Sequence, residues 1–127
     1  MKAVVIANGH VEDGDGANLE GAGLLIAADG GGLTFERWGI VPHAVVGDMD
    51  SLDEAALARL AARGAAIERH PRAKDETDLE LAIARARAAG AREIVVLGAF
   101  GGARLDLTIA NALLLAGPAH AAIDLRA

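Results

Sequence analysis

The chain alternates between short apolar runs and longer segments whose apolar positions repeat at helical spacing. Apolar runs lie at residues 2–7, 24–28, 44–46 and 93–97, and residues 66–69 form another short candidate strand. Residues 53–63 and 77–89 place apolar side chains on one helical face and end at Gly64 and Gly90. The pattern predicts two further helices, at residues 32–39 and 106–116. The pattern therefore predicts strands that alternate with helices.

The predicted strands are apolar along their whole length, which is typical of a parallel sheet covered by helices on both faces. We expect an α/β fold, a three-layer Rossmann-like domain with a mostly parallel sheet flanked by helices. A length of 127 residues favours one domain spanning residues 1–127. Neither the glycine fingerprint of dinucleotide-binding folds nor a P-loop occurs.

Composition narrows the classes of function. Aromatic residues make up 2% of the chain and the net charge is −6, which argues against a nucleic-acid partner. The chain has no Cys, so disulfides and zinc–thiolate sites are excluded. No apolar run is long enough for a membrane span, and residues 1–8 do not resemble a signal peptide. We expect a cytoplasmic protein with no membrane partner.

Acidic residues gather where the predicted strands end and where a helix begins. In the stretch GDMDS (47–51), Asp48 and Asp50 directly follow an apolar strand. Taken alone, this stretch is equally typical of a turn and a helix cap. Ligands of parallel sheets, however, bind beyond the carboxyl ends of the strands, which favours a functional site. The full set of candidate acids is Asp29, Asp48, Asp50, Asp75, Asp78 and Asp106.

Converging carboxylates need a compensating charge, because each one raises the pKa of its neighbours. Oxygen ligands without Cys favour Mg²⁺, which proteins usually bind together with substrate phosphates, so a nucleotide is the expected partner. The glycines of GGG (30–32) and GGAR (101–104), namely Gly30, Gly31, Gly101 and Gly102, could cradle phosphate beside Arg104. Lys74 is either a phosphate contact or a solvated loop residue. Asn111 either hydrogen-bonds in the core or reaches the nucleotide.

Four motifs, taken in order, closely resemble the thiamine pyrophosphokinase family: ADGGG (28–32), PHAVVGDMDS (42–51), KDETDLELAI (74–83) and GAFGGARLDLTIAN (98–111). The resemblance implies an α/β domain that binds ATP and Mg²⁺. It also implies transfer of the diphosphate of ATP to the hydroxyl of thiamine, with release of AMP. Family members are typically homodimers with a smaller C-terminal β-sandwich domain that helps to hold thiamine. We expect that domain to be absent from this chain.

The resemblance assigns roles to individual residues. Asp48, Asp50 and Asp78 correspond to metal ligands, and Asp106 to an acid near the reacting hydroxyl. Asp29 and Asp75 correspond to metal-shell or substrate-positioning acids, and Thr77 and Arg104 to nucleotide contacts. The chain departs from the family motif GGRxDH, because Ala103 precedes Arg104 and Leu107 replaces the His.

Two alternatives stay open at this point. The same diphosphokinase chemistry could act on another hydroxymethyl substrate, such as a pterin. The chain could instead be a regulatory module that binds a nucleotide or a metal without catalysis.

Overall fold

One parallel sheet of six strands organises the protein in the computed structural model, which describes residues 1–48, 52–70 and 77–98 and the backbone of 123–126. The strand order is β4-β3-β2-β1-β5-β6, and all neighbouring pairs are parallel. The strands are β1 Lys2–Ile6, β2 Leu24–Ala28, β3 Ala44–Gly47, β4 Ala66–Arg69, β5 Glu93–Leu97 and β6 Ile123–Arg126.

In the part of the chain that the structure describes, three α-helices cover the sheet: α1 Gly31–Arg37, α2 Glu54–Ala62 and α3 Asp78–Ala88. Side chains cap the two longer helices at their N-termini. The Asp53 carboxylate accepts from the backbone N–H of Ala56 (2.7 Å), and the Thr77 hydroxyl accepts from the N–H of Glu80 (3.1 Å). Within the described residues, no helix has both the length and the apolar character needed to cross a membrane.

The core consists of two apolar layers, one on each face of the sheet. Successive residues of β1 face opposite sides, so that Val5 packs in the layer under α3 and Val4 packs in the layer under α1 and α2. The α3 layer includes Leu79 and Ile83, and the other layer includes Phe35, Leu57 and Leu60. The predicted three-layer α/β fold with a parallel sheet is therefore confirmed.

The structure departs from the sequence prediction in two places. The hydrophobic pattern predicts no helix between β1 and β2, but Asp13–Leu19 forms a 3-10 helix, which begins with a capping box between Glu12 and Asp15. Strand β6 was not predicted, and it pairs with β5 from Ile94↔Ile123 to Leu97↔Arg126. The helix predicted at 106–116 lies outside the described residues.

Strand β4 forms one edge of the sheet, and its charged side chains are tied to the neighbouring helices. Glu68 accepts from the guanidinium of Arg85 in α3 (3.0 Å). Arg69, the next residue, donates to the carboxylate of Glu54, the first residue of α2 (2.7 Å). Successive residues of β4 thus bind helices that cover opposite faces.

Helix α1 approaches the end of β1 so closely that its first residue has no room for a side chain. A Cβ on Gly31 would lie 1.8 Å from the carbonyl oxygen of Ile6 and 2.6 Å from its carbonyl carbon. Both of these atoms belong to the backbone, so the clash could be relieved only if the helix moved away from the sheet. This contact fixes how α1 sits on its layer of the core.

We expect Gly31→Ala to destabilise the protein by about 3 kcal/mol, because the added methyl group forces apart two backbone segments. Urea unfolding followed by circular dichroism measures the change. Gly14→Ala is the matched control, since nothing lies within 4 Å of its Cβ position, and it should change stability by less than about 0.5 kcal/mol. Equal stabilities of the two variants would contradict the close approach.

Helices α1 and α2 are joined by the ion pair of Glu36 and Arg59, with two N–H···O distances of 2.7 and 2.9 Å. The hydrogen bond from Arg59 lowers the pKa of the Glu36 carboxyl. A carboxyl with a lowered pKa stabilises the folded state above its unfolded pKa, and this contribution is lost as the pH falls through the folded value.

We therefore expect Glu36→Gln to make stability less dependent on pH in the acid range. The wild type should lose more stability than the variant as the pH falls below about 4.3, the ordinary value for Glu. Urea midpoints measured at pH 6, 4 and 3 test this difference. If the two proteins lost equal stability as the pH fell, the ion pair would contribute nothing to the pH dependence of stability.

Candidate functional site

Three carboxylates from separate elements meet at one edge of the sheet. Asp29 follows β2, Asp48 follows β3, and Asp78 is the first residue of α3. One carboxylate oxygen from each lies within 4.8 Å of the other two. Because β2 and β3 are parallel neighbours, their carboxyl ends lie side by side, and α3 brings the third acid to them. The cluster brings together three of the six acids predicted from the sequence.

Asp29 has an uncommon backbone conformation. Its φ is 46°, in the left-handed region that residues other than Gly rarely adopt, and its side chain is buried. The Asp29 N–H donates to the carbonyl of Val46 in β3 (2.9 Å), and its own carbonyl accepts from the N–H of Gly32 (3.1 Å). Such conformations cost about 1 kcal/mol or more and cluster at functional sites. The bonds on either side of Asp29 therefore hold a strained residue between β2 and α1.

The backbone of Asp48 is in direct contact with the side chain of Asp78. The N–H of Asp48 donates to Oδ1 of Asp78 at 3.3 Å. Gly47, the last residue of β3, has a φ of 139° and lies directly against the Asp78 carboxylate. Sequence reasoning did not single out Gly47 as part of the site. The only signal was its position immediately before the first acid of GDMDS.

The structure gives three of the predicted nucleotide contacts a local structural role. Thr77 caps α3 with its side chain. Gly31 lies against the backbone of Ile6, where a side chain would not fit. Gly30 is the N-terminal cap residue of α1. Contacts between these residues and a nucleotide stay predictions. The other predicted site residues lie outside the described residues: Asp50, Lys74, Asp75, Gly101, Gly102, Arg104, Asp106 and Asn111.

The chemistry of the cluster fits a hard divalent cation. Two oxygens on opposite sides of an octahedral Mg²⁺ are about 4.2 Å apart and adjacent ones about 3 Å apart, given Mg–O distances near 2.1 Å. The ligand atoms of the three carboxylates span at most 4.8 Å, so small rotations of the side chains would close them around such an ion. Carboxylate oxygens are also the donors that Mg²⁺ prefers over softer metals. Asp29, Asp48 and Asp78 could therefore hold Mg²⁺.

Comparison with known proteins gives a consistent assignment. Residues 17–126 match the family described as thiamin pyrophosphokinase, catalytic domain. Thiamine pyrophosphokinase from Bacillus subtilis is 31% identical, with a TM-score of 0.74 over 91% of this chain and 54% of that one. Thiamin pyrophosphokinase from Geobacillus thermodenitrificans is 28% identical, with a TM-score of 0.79 over 99% of this chain and 59% of that one. No match was found among curated proteins.

A thiamin pyrophosphokinase family protein from Enterococcus faecalis is also similar, with 25% identity and a TM-score of 0.78. The present chain covers 61% of that protein's length. It therefore spans about three fifths of the length of the solved structures that it matches. The family match includes Asp29, Asp48 and Asp78 and every strand of the sheet except β1. On this match, the chain belongs to the thiamin pyrophosphokinase family and corresponds to its catalytic domain.

Proposed function

We propose that the protein is the catalytic domain of a Mg²⁺-dependent thiamine diphosphokinase. It transfers the diphosphate group of ATP to the hydroxyl of thiamine and releases AMP. The observation that carries the proposal is the cluster of Asp29, Asp48 and Asp78, whose ligand atoms lie within 4.8 Å of one another in a chain of this family.

The charge of the substrates makes a cation necessary at this edge of the sheet. ATP is strongly anionic, and three carboxylates would repel its phosphates at short range. When bound, Mg²⁺ neutralises the phosphate oxygens and holds them in place for transfer, which is most of what phosphoryl chemistry requires. The thiazolium of thiamine is cationic and suits an acidic cleft. An acidic protein with a net charge of −6 thereby becomes compatible with an anionic nucleotide.

In this proposal each group of residues has a distinct task. Asp29, Asp48 and Asp78 hold the metal from three separate elements, and Asp50 is a further proposed ligand. Asp106 is proposed to lie near the thiamine hydroxyl and to accept its proton as the bond to phosphorus forms. Asp75 is proposed to position the substrate.

The nucleotide is proposed to bind along the same edge of the sheet. Strand order reverses between β1 and β5, and ligands of open α/β sheets bind at such a reversal. There the N–H of Gly9 donates to the carbonyl of Gly98 (2.7 Å), and Gly98 has a φ of 71°. Its Cβ position is 2.9 Å from the carbonyl oxygen of Ala7, so only Gly fits where the two chain segments meet.

The Gly-rich stretch 98–102 continues from this point. The proposed phosphate and nucleotide contacts are Gly30, Gly31, Lys74, Thr77, Gly101, Gly102, Arg104 and Asn111. The family resemblance also supports a homodimer in the cytoplasm. It further supports a smaller domain that helps to hold thiamine.

We expect Asp48→Asn and Asp78→Asn each to weaken Mg²⁺-dependent binding of a non-hydrolysable ATP analogue at least about tenfold, because a charged ligand is lost. Calorimetric titration with and without Mg²⁺ measures the affinity. The metal-free variants should unfold at the same or a higher temperature than the wild type, since a repulsive charge is gone. Asp13→Asn is the control, because its side chain is 85% exposed and lies outside the cluster. Unchanged affinity in both cluster variants would overturn the metal assignment.

A second test addresses the acceptor. With ATP and Mg²⁺, the 127-residue chain should form AMP and thiamine diphosphate in equal amounts. Its rate should rise without saturation up to millimolar thiamine, because the smaller domain is proposed to help to hold thiamine. Chromatography of the products measures both compounds. Product formation with a hydroxymethylpterin but not with thiamine would reassign the acceptor, and nucleotide binding without AMP from either would favour a non-catalytic module.

A further inference from the structure

Gly47 provides the space in which the Asp78 carboxylate lies. A Cβ built on Gly47 would be 2.7 Å from Cγ of Asp78 and 2.8 and 2.9 Å from its two carboxylate oxygens. Real Cβ atoms do not approach other heavy atoms so closely, so any side chain at position 47 would displace this carboxylate. All three atoms of the carboxylate group therefore lie close to the position that a Cβ of residue 47 would take.

Neither element can retreat to make room for a side chain. Helix α3 is anchored by Leu79, Ala82 and Ile83, each of which is at most 2% exposed. On the other side, the carbonyl of Gly47 accepts from the N–H of His70 (2.8 Å), which holds the end of β3 to the chain following β4. The flexible part of the contact is therefore the side chain of Asp78 itself.

Displacement of the Asp78 side chain by a methyl group on Gly47 would move its oxygens from the place that they hold beside the other two acids. With the carboxylate in its present place, the ligand atoms of Asp29, Asp48 and Asp78 lie within 4.8 Å of one another. That place also allows Oδ1 of Asp78 to accept from the N–H of Asp48 (3.3 Å). A methyl group on Gly47 would disrupt both arrangements.

We propose that Gly47 is a positioning residue for the metal, and that the missing Cβ is what allows Asp78 to join Asp29 and Asp48. This inference rests on the proposed function, because it assumes that the cluster holds a divalent cation. Gly47 itself offers no side-chain ligand atom, and its carbonyl oxygen accepts from the N–H of His70. It acts only through Asp78, so its substitution should change metal affinity while all of the acids stay in the chain.

The experiment uses the full chain and MnCl₂ as the probe, because Mn²⁺ accepts the same oxygen ligands as Mg²⁺ and its binding is seen by electron paramagnetic resonance. We expect Gly47→Ala to weaken Mn²⁺ binding at least about tenfold, as does loss of groups that orient metal ligands. Gly64→Ala is the matched control. Gly64 has a φ of 109°, but nothing lies within 4 Å of its Cβ position, so it carries the backbone strain without the contact. Its Mn²⁺ affinity should stay within about twofold of the wild type.

A second measurement without metal isolates the contact. Thermal unfolding is compared for the wild type, Gly47→Ala, Asp78→Ala and the double variant, which form a double-mutant cycle. Gly47→Ala should lower the unfolding temperature more than Gly64→Ala does. In the Asp78→Ala background its effect should shrink to that of Gly64→Ala, because the displaced carboxylate is gone.

The outcomes separate this inference from the proposed function. If the wild type binds Mn²⁺ and Gly47→Ala binds it equally well, the inference is overturned and the metal site stands. If the effects in the cycle are additive, the contact has no energetic weight and the inference is again overturned. If the wild type binds no Mn²⁺ while its folding is intact, the proposed metal site fails, and the positioning role fails with it.

Discussion

Electrostatic repulsion among Asp29, Asp48 and Asp78 is the constraint on which the site depends. Their ligand atoms lie within 4.8 Å of one another, a separation that the folded backbone has to maintain. Sheet pairing fixes the ends of β2 and β3, and burial of one face fixes α3. The free energy of folding thus opposes the repulsion, and a ligand that binds only the folded state would add to stability by mass action.

Much of the fold could be predicted from hydrophobic patterning, because parallel strands are buried on both faces and read as continuous apolar runs. The predicted ranges 24–28, 66–69 and 93–97 agree with β2, β4 and β5 at both ends. Strand β6 was missed because IDLR is short and alternates in polarity. Its pairing with β5 depends on contacts between distant parts of the chain.

The site was only partly predictable, for a related reason. Asp48 and Asp78 could be identified as candidates because an acid after an apolar parallel strand and an acid at a helix start both lie where ligands of such sheets bind. The left-handed conformation of Asp29 and the space that Gly47 leaves for Asp78 arise from the approach of segments that are distant in sequence. Asp48 and Asp78, for example, are 30 positions apart. No local sequence pattern indicates that such segments approach one another. The roles of Gly101, Gly102 and Arg104 stay predictions.

The charged residues of β4 have a consequence for how copies of this chain can associate. An outer strand presents unpaired peptide groups to which a strand of another molecule can add. Glu68 and Arg69 are already engaged with Arg85 and Glu54, and the strand has only four residues. A strand added there would gain few peptide hydrogen bonds and would meet charged side chains on both faces. Self-association by extension of the sheet is therefore disfavoured at this edge, and a homodimer would have to form through other surfaces.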